Sequence, residues 1–136
     1  MFKETAYINS NGNVTLESGK ELVCGSVIFA GGSKCVKNIK GSENSNVIDT
    51  DEALDLKEAP ESLVIIGADY IGVEMAQIFS SFGSKVTVVE RKNSAIELID
   101  SEVSSILIKS LEKSGIKFIF GKEITEISGE KVLAGS

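Results

Sequence analysis

One junction restricts this chain more than any other. The apolar run Leu63-Val64-Ile65-Ile66 stops at Gly67-Ala68-Asp69-Tyr70-Ile71-Gly72, and a helical pattern starts at once. A continuous apolar run predicts a parallel strand buried on both faces. Ile71, Met75, Ile78, Phe79 and Phe82 then recur at the helical period, with Gly83 placed to end the helix. Lys85-Val86-Thr87-Val88-Val89-Glu90 reads as a second strand. Asp100 suits the cap of a second helix, with the stripe Val103, Ile106, Leu107 and Leu111 and a stop at Gly115. Ile116 to Phe120 is a third strand. Strands alternating with helices predict an α/β fold built on a βαβαβ unit, with an open parallel sheet between helical layers.

The chain upstream is of another character. Tyr7-Ile8, Val14 to Glu17 and Leu22 to Ala30 are short extended runs, separated by Asn9-Ser10-Asn11-Gly12-Asn13 and Ser18-Gly19-Lys20. Asn-Gly is a strong hairpin signal, so these runs predict an antiparallel β-meander, with Leu22 to Ala30 as a buried strand. Gly41 to Asn46 reads as a polar linker, and Thr50 as the cap of a short helix over Asp51 to Lys57. The expected division is a meander over residues 1–40 and an α/β domain over residues 44–136. Cys24 and Cys35 stand alone, without a metal-binding or Cys-x-x-Cys spacing. They read as reduced and partly buried, Cys24 as a small core hydrophobe.

The chemistry suggested by the junction is phosphate and ribose binding. A glycine turn after an apolar strand, opening a helix, is the position of a dinucleotide fingerprint. Gly67 makes the tight turn and Gly72 lets helix and strand approach. Glu90 ends the second strand 23 residues after Gly67, near the roughly 20 expected. A carboxylate there accepts hydrogen bonds from the ribose hydroxyls and repels a 2′-phosphate, which favours NAD over NADP. Arg91 and Lys92 work against that preference. The fold implied is Rossmann-like.

Asp69 breaks the fingerprint. It stands where a glycine admits the pyrophosphate. Two unit charges 4 Å apart at an effective dielectric of 20 repel by ~4 kcal/mol. A helix N-terminus returns only ~0.3–2 kcal/mol to an anion. The repulsion wins unless Asp69 points away from the phosphate position or a cation intervenes, and Asp69 can itself occupy the helix N-terminus meant for phosphate.

Composition narrows the function classes. Among 136 residues there is no histidine, which removes Ser-His-Asp and Cys-His catalysis and histidine-based metal sites. The formal charge of −6 disfavours nucleic acid as a partner. No apolar stretch reaches membrane-spanning length and Met1 to Tyr7 is not a signal peptide, so a cytoplasmic location and no membrane partner are expected.

The runs Ser62 to Glu74 and Phe82 to Glu90 resemble the NAD-binding domain of the class I pyridine nucleotide-disulfide oxidoreductases, dihydrolipoyl dehydrogenases in particular. The resemblance extends through Asp49 to Leu54, back to Val27 to Ser33 and on through Leu111 to Glu126. NADH oxidases, mercuric reductases and glutathione reductases look similar here. The resemblance implies that Gly67 and Gly72 flank the NAD pyrophosphate, with Ala68, Asp69 and Ile71 of the same turn among the cofactor-binding residues. It implies that Glu90 and Arg91 meet the adenosine ribose, and that Tyr70 and Glu74 lie toward the nicotinamide. It implies FAD in a parent enzyme, bound mostly by regions outside this chain, with hydride passing between NAD and FAD. It assigns residues 1–40 to the edge of a flavin domain.

The family's FAD fingerprint, its redox cysteine pair and its catalytic histidine are not in these residues, and Gly31 stands where a threonine is usual. The expectation is an inactive internal piece of a homodimeric flavoprotein, with no catalytic or metal-binding residue of its own. Its partners would be NAD(H) and the remaining domains, and its open sheet edges would favour self-association. The alternatives are the same domain of another flavin disulfide reductase or NADH oxidase, or a structural module that has lost dinucleotide binding through Asp69.

Overall fold

The structure is a computed structural model that describes residues 1–135, in two compact units, Met1–Lys34 and Cys35–Ser136. In the first, β1 (Ala6–Ile8), β2 (Val14–Leu16) and β3 (Glu21–Leu22) form an antiparallel sheet in that order. The turn that carries Asn11-Gly12 is held by the side chain of Asn9. Asn9 Oδ1 accepts from the Asn11 and Asn13 amides (3.0 and 3.1 Å), and Gly12 takes a φ of +78°. The side-chain Nδ2 groups of Asn13 and Asn9 donate to Glu21 Oε1 and hold that carboxyl below its ordinary range.

Beyond Leu22 the expectation of a buried strand is overturned. Residues 23–30 form no strand, and Val23, Ile28 and Phe29 are 83, 93 and 80% exposed. A strand buried on both faces needs neighbours that take its amides, and no strand among the described residues pairs with this run. The partial burial expected of the cysteines fails with it: Cys24 and Cys35 are free and exposed.

The second unit opens with turns. Gly41 and Ser42 are buried, and a Cβ at Gly41 would lie 1.9 Å from the Ile127 carbonyl oxygen. Helix α1 (Thr50–Leu54) is capped by Asp49, one residue before the expected Thr50, and ends at Leu54 rather than Lys57. Asp49 accepts from the Asp51 and Glu52 amides while Glu52 Oε2 accepts from the Asp49 amide, a complete capping box. Aspartate with glutamate three residues on outcompetes threonine as the start.

Strand β4 (Ser62–Ile66), helix α2 (Tyr70–Ser81), strand β5 (Lys85–Glu90), helix α3 (Ser101–Lys113) and strand β6 (Lys117–Phe120) form the βαβαβ unit. The sheet is parallel in the order β4-β5-β6, with Ile66 opposite Val89 and Glu90 opposite Phe120. The fold is therefore α/β with a Rossmann-like open parallel sheet and a separate antiparallel meander, as the pattern implied.

On one sheet face Leu63, Ile65, Val86 and Val88 pack with Val73, Ala76 and Phe79 of α2 and Leu111 of α3. On the other, Val89 and Ile119 are covered by a hairpin absent from the sequence reading, β7 (Ile124–Ser128) and β8 (Lys131–Ala134), through Ile124, Ile127 and Val132. The hairpin does not extend over β4. Val64 and Ile66 stay 41 and 44% exposed, so β4 is not buried on both faces.

Both helices bury part of the expected stripe, Phe79 with Met75 beside it and Leu111 with Leu107 beside it, but each is rotated so that the rest of the stripe is exposed. In α2 the buried residues are Gly72, Val73, Ala76 and Phe79, while Phe82 is exposed and Ile78 borders solvent. Small residues let the helix sit close to the sheet, and that contact outweighs the larger side chains at its margin. In α3 Ser104 and Leu111 are buried, and Val103 and Ile106 face outward. The Ser104 hydroxyl donates to the Ala95 carbonyl (2.7 Å), which fixes the rotation of that helix. Asp100 caps α3 as expected, and Gly83 and Gly115 follow the helix ends with φ of +93°.

Candidate functional site

The site grows from the turn that leaves β4. The Gly67 amide donates to the Val89 carbonyl (2.8 Å) and extends the ladder by one step. Gly67 then adopts φ of +104°, a left-handed conformation that suits glycine. The chain folds back so closely that a Cβ at Gly72 would lie 2.1 Å from the Gly67 carbonyl oxygen. Both glycines thus have the backbone roles assigned to them, a tight turn and a close helix–strand approach.

Asp69 is the N-cap of α2, and its Oδ1 accepts from the Gly72 amide at 2.9 Å. Of the arrangements open to Asp69, the carboxylate takes the helix N-terminus. It occupies one of the first-turn N–H groups that an incoming anion would otherwise use.

Glu90 closes the other side. Its Oε2 accepts from the Ala68 amide (2.8 Å) and its Oε1 from the Lys92 amide (2.8 Å). The carboxylate is thereby fixed across the mouth between the ends of β4 and β5. It keeps further lone pairs for a hydroxyl donor. The following loop returns to the same turn: the Ile96 amide donates to the Ala68 carbonyl (2.8 Å). Ile96 has φ of +45°, a strained conformation for a β-branched residue. Gly121 and Ser104 anchor the loop through the Lys92 and Ala95 carbonyls.

These elements enclose an open cleft of ≈ 220 Å³. Of the predicted residues, Gly67, Ala68, Asp69, Glu90 and Arg91 line it; Tyr70, Ile71, Gly72 and Glu74 do not. Gly72 acts through the turn geometry. Tyr70 and Glu74 lie exposed one helical turn apart on α2. Sequence reasoning missed Ser94, Ile96 and Glu97 as lining residues. No local signal marks them: they reach the cleft through a loop whose path depends on the hydrogen bond from Ile96 to Ala68. Lys92 Nζ forms an ion pair with Glu97 at the cleft edge. No described group of three or more Cys, Asp or Glu side chains is placed to hold a metal ion, and no described helix is long and apolar enough to cross a membrane.

Residues 2–135 match the family model described as pyridine nucleotide-disulphide oxidoreductase. Among curated proteins, a dihydrolipoyl dehydrogenase of Acholeplasma laidlawii is 34% identical over 125 residues, covering 88% of this chain and 37% of that protein. A soluble pyridine nucleotide transhydrogenase of Mycobacterium bovis is 40% identical over 85 residues, 62% of this chain and 18% of that protein. Among solved structures, the HOCl-induced flavoprotein disulfide reductase RclA from Escherichia coli superposes with a TM-score of 0.74 at 28% identity, covering 96% of this chain and 33% of that one. The chain spans well under half the length of these relatives.

Proposed function

The chain belongs to the pyridine nucleotide-disulphide oxidoreductase family, and from that premise we propose that it is the NAD(H)-binding segment of an FAD-dependent, dihydrolipoyl dehydrogenase-like enzyme. In this reading the parent protein passes hydride between NAD and FAD, and the isolated chain binds nucleotide without turnover. Residues 44–136 form the nucleotide-binding domain and residues 1–40 belong to the edge of the flavin domain. The observation that carries the reading is the Glu90 carboxylate, fixed by the Ala68 and Lys92 amides at the mouth of a glycine turn. A carboxylate so placed suits the adenosine ribose hydroxyls. Gly67 and Gly72 supply the turn beneath the pyrophosphate. NAD supplies the hydride chemistry when bound; the residues of this chain bind and orient it.

Asp69 supports a second reading, a structural module with weakened nucleotide affinity, because its carboxylate holds the Gly72 amide where phosphate would bind. Titration of the chain with NADH separates the two. Saturable binding at millimolar concentration or tighter supports the first reading, and no binding supports the second. Asp69→Gly sharpens the test, since replacing an N-cap aspartate by glycine costs the helix only a few tenths of a kcal/mol. The variant is expected to bind NADH at least tenfold more tightly. An unchanged affinity would show that the Asp69 charge does not oppose the pyrophosphate.

A further inference from the structure

The charges at the cleft edge are unevenly paired. Arg91 and Lys92 follow Glu90 directly, and as a pair they would suit a 2′-phosphate on the ribose. The structure separates them. Lys92 Nζ is engaged by Glu97, whereas Arg91 enters no ion pair among the described residues. Glu97 is five residues from Lys92 and reaches it because the chain reverses at Ile96. That reversal has two independent marks: the left-handed backbone of Ile96, and the Ile96 amide bonded to Ala68 of the glycine turn. The Lys92 amide is tied to Glu90 at the same time, so the ribose-side carboxylate, the lysine and Glu97 form one connected unit.

We infer that Glu97 is a specificity-determining residue, selecting a ligand with an unphosphorylated adenosine ribose by withholding Lys92 from a 2′-phosphate. This inference rests on the dinucleotide-binding reading. Glu90 alone repels a 2′-phosphate, and a neighbouring lysine free to turn toward the ribose would offset that repulsion. Glu97 removes the offset by neutralising the lysine. The pair is solvent-exposed, 44% for Lys92 and 61% for Glu97, so its effect is modest.

The test uses two ligands that carry only the adenosine end, 5′-AMP and adenosine 2′,5′-bisphosphate, titrated against the 136-residue chain by calorimetry. Glu97→Gln is expected to raise the affinity ratio of bisphosphate to 5′-AMP by about two- to fivefold, an exposed ion pair's worth of charge. The rise should shrink at high salt. It should also vanish when Lys92→Met is added. A ratio unchanged by Glu97→Gln, or a rise that survives Lys92→Met, overturns the inference while leaving the dinucleotide reading standing. Failure of the wild-type chain to bind either ligand overturns both.

Discussion

Two apolar runs in this chain start from similar sequences and end differently. Leu63 to Ile66 becomes strand β4, hydrogen-bonded to β5 and packed by α2 on one face. Val23 to Ala30 is also largely apolar, though broken by Gly25-Ser26, but forms no strand, and its large side chains face water. Apolar content alone does not make a strand. A run becomes one when another edge takes its amides and carbonyls and another layer covers its side chains. β4 has both on one side, because Gly67 and Gly72 return the chain as a helix against it. The upstream run has neither among the described residues.

That contrast can be broken at the return itself. Gly72→Val forces a side chain against the Gly67 carbonyl, a backbone atom that cannot swing away. The expected cost is about 3 kcal/mol or more, read as a lower urea midpoint with loss of helical signal. Next in size, Val88→Ala removes two methyl groups from a side chain with 0% exposure at the sheet centre. It should cost about 2–3 kcal/mol by the same measurement. Its counterpart Ile28→Ala, in the uncovered run, should move the midpoint by less than about 0.5 kcal/mol. Equal costs for these two would mean that the upstream run is packed in solution.

A smaller effect tests the local signals. Asp49→Ala removes the cap of α1 and both amide bonds to its carboxylate, which should cost about 1 kcal/mol. The smallest effect is electrostatic. Lys37 Nζ donates to Glu52 Oε2 at 2.7 Å, holding the Glu52 carboxyl below its ordinary range and the lysine above its own. The depressed carboxyl contributes stability above its unfolded value and loses it as pH falls through the folded one. The raised lysine contributes below its unfolded value and loses it as pH rises through the folded one. An NMR titration of the Glu52 carboxyl should give a midpoint below that of an ordinary glutamate, and Lys37→Met should move it back up.

Much of the fold was legible because its signals act over a few residues. The second strand was placed at Lys85 to Glu90, where β5 lies, since a charged flank and a glycine bound an apolar run. The cap at Asp100 and the glycines after both helices were equally local. At the site, Gly67, Asp69 and Glu90 could be named because strand, turn and terminal acid occupy fixed positions in a βαβ unit. The errors share a cause. Hydrophobic size points Phe82, Val103 and Ile106 inward along with Phe79 and Leu111, but contacts with β5 and with Ala95 set the rotation and bury only the latter two. The hairpin of β7 and β8 was missed because its apolar residues are few and acquire their partners, Val89 and Ile119, from strands earlier in the chain.

The sequence by itself determined the order of elements, the glycine turn and the carboxylate at the end of β5. These depend on backbone conformations and caps that neighbouring residues dictate. The packed chain alone decides that Val64 and Ile66 remain uncovered and that the hydrogen bond from Ile96 to Ala68 bends a loop to bring Glu97 to Lys92. Both depend on which surfaces meet, and that has no signature in the residues immediately beside them.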